Sequence, residues 1–165
     1  MNGITQWLFD TFGTVFADEI IIFMASMIPF VELKGGLLAA SILGVPAVKA
    51  IVICFIANII PMPFAVKYMK IFLIWLQNKP VAKRIMPKIK NWEDKHRKNI
   101  DKFAYWGIFL NVINPIPGTG GYSNALLAAC LNLDNKKATK AIIIGLFCSS
   151  FLMTGIYYGF IEIFF

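Results

Sequence analysis

The sequence has little charge and few of the residues on which enzymes depend. Of its 165 residues only 15% are charged and 58% are hydrophobic, with a mean hydropathy of +0.68, whereas a soluble domain carries about 25% charged residues. There is one histidine, His96, and the three cysteines lack the spacing of a metal site or a disulfide framework. A serine nucleophile motif, paired carboxylates and a Walker-type glycine loop are all missing. We therefore expect no water-soluble enzyme, no metal and no cofactor.

The sequence is rich instead in long stretches without a charged residue. The run Ala141–Ile161 has 21 residues, and about 20 apolar residues are needed to cross the ~30 Å hydrocarbon core of a bilayer. The other charge-free runs are Ile20–Val31, Gly35–Val48, Ala50–Val66 and Phe103–Leu133. This pattern predicts an all-α integral membrane protein.

Two parts of the sequence follow one design. Leu37–Ala40 and Leu126–Ala129 both read Leu-Leu-Ala-Ala, and Lys49–Ile51 and Lys140–Ile142 both read Lys-Ala-Ile. A cluster of proline and glycine precedes the first of these motifs in each part. The shared order and nearly constant offset predict an internal repeat. The expected segments of the single membrane domain 1–165 are repeat one at about 14–77, a basic connector at about 78–100 and repeat two at about 101–165.

Proline and glycine divide each repeat into pieces of different length. The piece Phe103–Ile113 has 11 residues and reaches only ~16 Å as a helix, and Asn124–Leu133 after the break is equally short. Two such pieces joined at a break form a re-entrant hairpin. The third piece of each repeat, about Ala47–Val66 and about Ala138–Ile161, is long enough to cross. A hairpin returns the chain to the membrane face from which it entered, and the single crossing then carries it to the other face. The second repeat therefore starts on the opposite face, which predicts an inverted repeat whose hairpins meet near the midplane.

Positive charge is concentrated between the two repeats. The chain has 16 Lys and Arg against 9 Asp and Glu, a net charge of +7. Under the positive-inside rule the connector and the turn around Lys136 lie in the cytoplasm, whereas Lys49 and both termini lie outside. Because topology explains the charge, we expect no nucleic-acid partner. The connector has the periodicity of an amphipathic helix on the membrane, which either binds lipid phosphates or only joins the repeats.

The first break contains two charged residues in an apolar context. Glu32 and Lys34 are followed directly by Gly35 and Gly36. Ionisable groups at membrane depth cost roughly a few kcal/mol each, so they are rare without a purpose. One interpretation is an ion pair that holds the tip. The other is a ligand site, in which Glu32 is a coupling or gating carboxylate suited to proton-coupled transport and Lys34 holds a phosphate or carboxylate.

The second break is rich in glycine and in uncharged polar residues. Its half-helix is expected to begin near Tyr122 and to direct free N–H groups toward the tip. Together with Lys34 these groups either form a site for an anion or only cap the broken helices. The predicted substrate-binding residues are Glu32, Lys34, Gly35, Gly36, Asn58, Asn114, Pro117, Gly118, Thr119, Gly120, Tyr122, Ser123 and Asn124.

Three stretches of the sequence resemble a known family. Pro29–Gly36, Ala57–Pro63 and Pro115–Gly120 are similar to motifs of the putative small multidrug export proteins, and the resemblance covers most of the chain. That family commonly has arginine where this chain has Lys34, and an aromatic residue after Gly-Thr-Gly, which Tyr122 represents. A more distant resemblance to the DedA, or SNARE-associated, superfamily implies opposed re-entrant hairpins and lipid transport, including recycling of undecaprenyl phosphate.

These observations lead to three hypotheses for a multi-pass protein of the prokaryotic inner membrane. The first is a transporter or flippase that binds an anionic lipid-like headgroup, for example undecaprenyl phosphate, between the two tips. The second is an exporter of small cationic amphiphilic drugs, with Glu32 as the cation partner. The third is a non-transporting scaffold whose polar tips lock the fold. Two crossings provide little wall around a path, so we also expect a homodimer surrounded by membrane lipids.

Overall fold

The computed structural model of the protein describes residues 18–77, 100–116 and 118–164, and the regular structure in these ranges is helical. We number the helices in chain order. They are α1 (18–27), α2 (Glu32–Ile42), α3 (Ala47–Ile59), α4 (Met62–Gln77), α5 (Ile100–Ile113), α6 (Gly121–Cys130) and α7 (Asn135–Phe164). The all-α class is therefore confirmed. The predicted connector helix and the N-terminal residues 1–17 lie outside the described residues.

Two helical segments are long and apolar enough to cross a membrane. The first, Ala47–Trp75, contains α3 and α4, and the second, Asn135–Gly159, is most of α7. The first crossing extends beyond its predicted end at Val66, because the chain resumes a helix directly after the break at Pro61, where the missing N–H of proline is tolerated. The second begins before its predicted start, because Asp134 accepts a hydrogen bond from the Lys137 N–H and caps the first turn.

The outer faces of these segments carry exposed apolar side chains. Val48 is 76% exposed, Phe64 62% and Ile144 56%. An apolar surface of this extent is unfavourable in water and favourable in lipid. Together with the two long segments it indicates a membrane protein.

Helix α7 is the centre of the molecule and contacts α2, α3, α4, α5 and α6. Helix α5 runs parallel to it. The Tyr105 hydroxyl accepts a hydrogen bond from the Asp134 N–H just before α7, and Val112 lies against Gly145, where an added Cβ would come within 2.8 Å of Val112 Cβ. Since α5 ends at Ile113 and Gly145 is ten residues into α7, the α5–α6 pair reaches about 15 Å along α7 and then returns.

The α1–α2 pair starts from the opposite end of α7. An ion pair joins Glu19 near the beginning of the described part of α1 to Lys49 in the first turn of α3. The hydroxyl of Tyr158, near the far end of α7, donates to the Val45 carbonyl in the α2–α3 turn at 2.7 Å. At the other end of the molecule, Lys70 of α4 donates to the Leu133 carbonyl in the α6–α7 turn at 3.1 Å. The two helix pairs therefore extend toward each other from opposite ends.

The repeated Leu-Leu-Ala-Ala motif leads into the same helix cap in both halves. Helix α2 is followed by Gly44 with φ +70 and α6 by Asn132 with φ +50. In each case the next apolar residue closes the cap, because the Val45 N–H donates to Ala40 O and the Leu133 N–H to Ala128 O, both at 3.0 Å. This is the Schellman hydrogen bond with a left-handed residue after the helix. The placement of both pairs in a membrane, as re-entrant hairpins of an inverted repeat, stays a prediction.

Candidate functional site

The site lies where the ends of the two helix pairs meet. We call it the tip junction and define it as Glu32 and Lys34 of α2 together with residues 114–116 and 118–124 of the second pair. Glu32 is only 4% exposed and Lys34 only 6%. Helix α2 begins at Glu32 directly after a turn in which Phe30 has φ +82, and Glu32 itself has φ +50. A positive φ is unfavourable for a residue with a side chain, so the surrounding contacts hold this backbone in place.

The Glu32 carboxylate lies on the N-terminus of α6. The Tyr122 N–H donates to its Oε1 at 3.0 Å, and the N–H groups of Gly121 and Ser123 also face the carboxylate. The residue before α6, Gly120, provides no side-chain cap of its own. Glu32 thus satisfies N–H groups that have no partner within the helix, and its negative charge lies at the positive end of the helix dipole.

Glycine makes this approach possible. A Cβ added at Gly120 would overlap Oε2 of Glu32. One at Gly121 would lie 2.5 Å from Sδ of Met62 in α4, so the first turn of α6 is pressed between the carboxylate and the first crossing. Both glycines serve close packing of backbone against neighbouring side chains rather than a left-handed turn.

The Lys34 ammonium lies on the opposite kind of helix end. It donates to the carbonyl of Asn114 at 2.5 Å and to that of Ile116 at 3.0 Å, just beyond the C-terminus of α5. Its third bond goes to Oγ1 of Thr119 at 2.7 Å. Lysine near a helix C-terminus satisfies free carbonyls and complements the negative end of the dipole. Three donors therefore meet three acceptors.

Glu32 and Lys34 therefore do not form the ion pair considered from the sequence. Across the described ranges the one ion pair is that between Glu19 and Lys49. Each of the two buried charges is instead balanced by a helix end of the second half, about 80 to 90 residues away in sequence. The junction holds the two halves together through charge-assisted hydrogen bonds, which are stronger than neutral ones.

The remaining polar groups of the second tip bond mainly to one another. The Thr119 hydroxyl lies 2.7 Å from the Ile116 carbonyl and 3.1 Å from that of Asn114, and the Ile116 N–H donates to Oδ1 of Asn114 at 3.2 Å. The Ser123 hydroxyl donates to the Gly120 carbonyl at 3.2 Å. Gly118 has φ +83, which allows the turn. Pro117 lies outside the described residues.

Asn124 is fully buried and joins the two helices of the second pair. Its amide nitrogen donates to the carbonyls of Gly120 at 2.8 Å and of Thr119 at 3.3 Å. Its oxygen accepts a hydrogen bond from Nδ2 of Asn111 at 3.0 Å. Asn111 was not among the predicted site residues, because a lone amide near the end of an apolar run gives no local sign of its partner.

Three other predicted site residues, Gly35, Gly36 and Asn58, make their contacts outside the junction. A Cβ at Gly36 would overlap Oγ of Ser26, so this glycine lets α2 approach α1, and one at Gly35 would lie 2.5 Å from Cγ1 of Val31. Asn58 is fully buried, and its Nδ2 donates to the Cys54 carbonyl within α3 at 2.8 Å. Its Oδ1 has no hydrogen-bond partner among the described residues.

A groove adjoins the junction at Tyr122. It has a volume of about 290 Å³ and is lined by Ala65, Tyr68, Met69, Phe72 and Tyr122. Tyr122 belongs to both places, since its side chain lines the groove and its N–H holds Glu32. Its hydroxyl donates to the Met27 carbonyl at the end of α1 at 3.0 Å. Tyr122 is therefore the residue shared by the groove and the tip junction.

Comparison with known proteins identifies one family. A family model described as "Putative small multi-drug export protein" matches residues 32–152, more than half of the chain. The matched range begins at Glu32 and includes the whole tip junction. No curated protein and no solved structure matches the chain. The more distant likeness to the DedA superfamily stays a prediction.

Proposed function

Because the chain belongs to the putative small multi-drug export protein family, we propose that it is a membrane transporter that exports small amphiphilic molecules and opens at the tip junction. The observation that carries this proposal is the buried Glu32 carboxylate, held by the α6 N-terminus directly beside an aromatic groove. A buried charge at membrane depth is costly and marks a functional site by default.

The proposed topology is the inverted repeat. The α1–α2 and α5–α6 pairs enter the membrane from opposite faces as re-entrant hairpins, and α3–α4 and α7 cross it. The bonds Tyr158–Val45 and Lys70–Leu133, at opposite ends of α7, support this arrangement. Broken helices inside a membrane are tolerated where protein satisfies their free backbone groups, and Glu32 and Lys34 do so here.

In the proposed cycle the junction is a closed gate. Protonation of Glu32 removes the charge that the α6 N–H groups stabilise, which weakens this contact relative to the open state. The released carboxyl is then available to a substrate that reaches it past Tyr122. Proton uptake and substrate binding thus compete for one group, which is the basis of proton-coupled export.

The proposed substrate is a hydrophobic cation. Phe72 and Tyr122 line the groove beside Glu32, and aromatic faces attract cations. Tyr68, a third lining residue, already has the Lys67 ammonium over its ring at 5.7 Å. The anion site predicted from the sequence is closed in this structure, since the N–H groups of α6 bond to Glu32 and Lys34 bonds to the second tip. The carboxylate is therefore the group that a substrate of opposite charge would seek.

The test is transport by purified protein in proteoliposomes that carry a pH gradient. The wild type is expected to move ethidium against its gradient, and Glu32→Gln to abolish movement while keeping the fold, because the amide oxygen still accepts the N–H bonds of α6. Glu19→Gln is the matched control. It removes the carboxylate that pairs with Lys49, far from the junction, and should transport like the wild type. Absence of ethidium transport by the wild type would refute this substrate class.

A second candidate is the flippase for an anionic lipid-like headgroup, such as undecaprenyl phosphate. The observation that favours it is Lys34 together with the N-terminus of α6, which has no side-chain cap from its own helix. If Glu32 leaves, these donors face the same space and an anion can replace the carboxylate. Flipping of a labelled polyprenyl phosphate that is lost in Lys34→Met, with no ethidium transport, would favour this candidate. If neither substrate moves and the variants change only thermal stability, the junction is a scaffold.

A further inference from the structure

A second groove lies between α5 and α7, away from the tip junction. It has a volume of about 410 Å³ and is lined by Tyr105, Trp106, Phe109, Lys137, Lys140, Ala141 and Ile144. The four residues from α7 are spaced at 137, 140, 141 and 144, so they form a single stripe on one face of that helix. The lining combines apolar and aromatic residues with two lysines.

We propose that this groove binds one anionic phospholipid, with the phosphate at Lys137 and Lys140 and the beginning of an acyl chain against Trp106 and Ile144. The inference is independent of the proposed substrate, because it concerns neither Glu32 nor the groove beside Tyr122. The occupant follows from charge complementarity and from the place of the groove at the end of a membrane-crossing helix.

The charged residues at the groove give it a net positive charge. Lys137 and Lys140 are both exposed, and the Lys137 ammonium lies 6.0 Å from the centre of the Tyr105 ring. The nearby carboxylate, that of Asp134, accepts a hydrogen bond from the Lys137 N–H at 2.9 Å. The first turns of α7 thus hold lysines where a helix dipole already favours negative charge, so an anion from outside the chain is stabilised there.

The Tyr105 hydroxyl is placed to add a hydrogen bond. Its oxygen accepts the Asp134 N–H at 3.2 Å, so its own hydrogen is free to point elsewhere, and a phosphate oxygen held by Lys137 would be a suitable acceptor. Two further aromatic residues, Trp106 and Phe109, line the same groove. Trp106 is 64% exposed and packs edge-to-face on Phe109 with ring centres 5.6 Å apart. Tryptophan is enriched at membrane–water interfaces, which is where the proposed site would lie.

The volume suits part of one lipid. Pockets of about 300–1,000 Å³ hold drug-sized groups, so about 410 Å³ accommodates a phosphate with its glycerol and the first carbons of one chain. The remainder of the lipid would lie along the exposed apolar faces of α5 and α7, which include Leu110 and Phe151. Lysine side chains whose stems lie along apolar surface commonly reach such headgroups.

The test uses the fluorescence of Trp106 in the full-length protein, with Trp7, Trp75 and Trp92 replaced by Phe. The protein is reconstituted into phosphatidylcholine that contains a small fraction of brominated lipid, which quenches nearby tryptophan. Brominated phosphatidylglycerol is expected to quench Trp106 more strongly than brominated phosphatidylcholine at the same fraction. Lys137→Gln and Lys140→Gln should each lower this preference by about fivefold, the typical contribution of one lysine at an anionic surface.

Three variants test whether the groove itself, rather than the general positive charge near the start of α7, sets the preference for anionic lipid. Lys136→Gln removes the neighbouring charge from the same turn but does not line the groove, and it should keep the preference within twofold. Ala141→Leu keeps both lysines and fills the floor of the groove, and it should abolish the preference. Circular dichroism verifies that each variant is folded, and Lys137→Arg, which keeps the charge, should keep the preference.

Several results would overturn the proposal. They are equal quenching by both lipids in the parent protein, an equal loss in Lys136→Gln and Lys137→Gln, and full preference in Ala141→Leu. Reversal of the preference by millimolar inorganic phosphate would also overturn it, since the site would then hold a free anion rather than a lipid.

Discussion

Glu32 and Lys34 are separated by a single residue, yet each bonds to a different helix end of the second half. The carboxylate meets N–H groups and the ammonium meets carbonyls, so each charge is matched both by hydrogen bonds and by the sign of the local helix dipole. Such matching offsets the cost of removing both groups from water, which an ion pair between them would do only with excellent geometry. At the scale of residues, two side chains of α2 therefore cap two helix ends of the second half.

Gly120→Ala tests the closeness of the Glu32 carboxylate to α6. The added methyl group would overlap Oε2 of Glu32, so the carboxylate must withdraw from the N–H groups. We expect a loss of unfolding free energy on the order of 3 kcal/mol, the lower range for breaking a buried charged contact. Thermal unfolding in detergent measures it. Gly155→Ala is the control, because its Cβ meets nothing within 4 Å, and it should be neutral or slightly stabilising.

Replacements of Lys34 test the other cap. Lys34→Met removes the charged donor shared by the carbonyls of Asn114 and Ile116 and the Thr119 hydroxyl. The one hydrogen of that hydroxyl cannot satisfy both carbonyls, so the variant should destabilise by about 3 kcal/mol. Lys34→Arg keeps the charge and offers more donors, so we expect most of the stability to return. Equal melting temperatures for the two variants would mean that the bonds of Lys34 do not stabilise the junction.

At the scale of elements, the two halves share one way of ending a short helix. Gly44 and Asn132 hold equivalent left-handed positions after α2 and α6. In each case the N–H of the next residue donates to a carbonyl in the last turn of the helix. The cap fixes the angle at which the following long helix leaves, and it is formed by different residue types. Glycine adopts this conformation without strain, whereas asparagine is tolerated with some cost.

Substitutions at the two caps should therefore differ in their effect on stability. Gly44→Ala adds a side chain at φ +70, and although the space around it is open, the backbone penalty should lower the free energy of unfolding by about 1–2 kcal/mol. Asn132→Gly relieves φ +50 but removes the exposed hydrogen bond from Lys70 to Asn132 Oδ1 at 3.2 Å, so it should be close to neutral, within a few tenths of a kcal/mol. Chemical denaturation of the two variants in one lipid–detergent mixture measures both effects. Destabilisation by both would mean that the caps are not equivalent.

At the scale of the whole molecule, the caps lie at opposite ends of α7. One is bonded to Tyr158 near its end, and the other to Lys70 beside its beginning. This separation follows from two helix pairs that each reach only part of the way along α7. A molecule built in this way brings two tips together in its interior, where backbone groups need partners because lipid offers none.

Cysteine labelling tests this arrangement in a membrane. In a background without Cys54, Cys130 and Cys148, an impermeant maleimide should label Lys49→Cys only from the periplasmic side and Lys136→Cys only from the cytoplasmic side, because these residues lie near opposite ends of α7. Labelling of sealed spheroplasts and of inverted vesicles distinguishes the sides. Labelling of both from one side would contradict the inverted repeat.

Local chemistry was enough to predict the elements of this fold. Hydropathy and the positions of proline and glycine predicted an all-α membrane protein, the breaks near Pro29 and Pro115, and the start of α6 close to Tyr122. These features depend on neighbours within a few residues, so the sequence contains them directly. It also singled out Glu32 and Lys34 as unusual, because a charge in an apolar run is visible without knowledge of its partner.

The partners of those charges were decided only by the tertiary structure. Glu32 meets α6 at a sequence separation of 90 and Lys34 meets Asn114 at a separation of 80, and no local pattern reveals such pairings. For the same reason the sequence did not reveal the roles of Asn111 and of the Met27 carbonyl, or the second groove between α5 and α7. Composition and periodicity act along the chain, whereas the contacts that balance a buried charge depend on which helix ends the fold brings together.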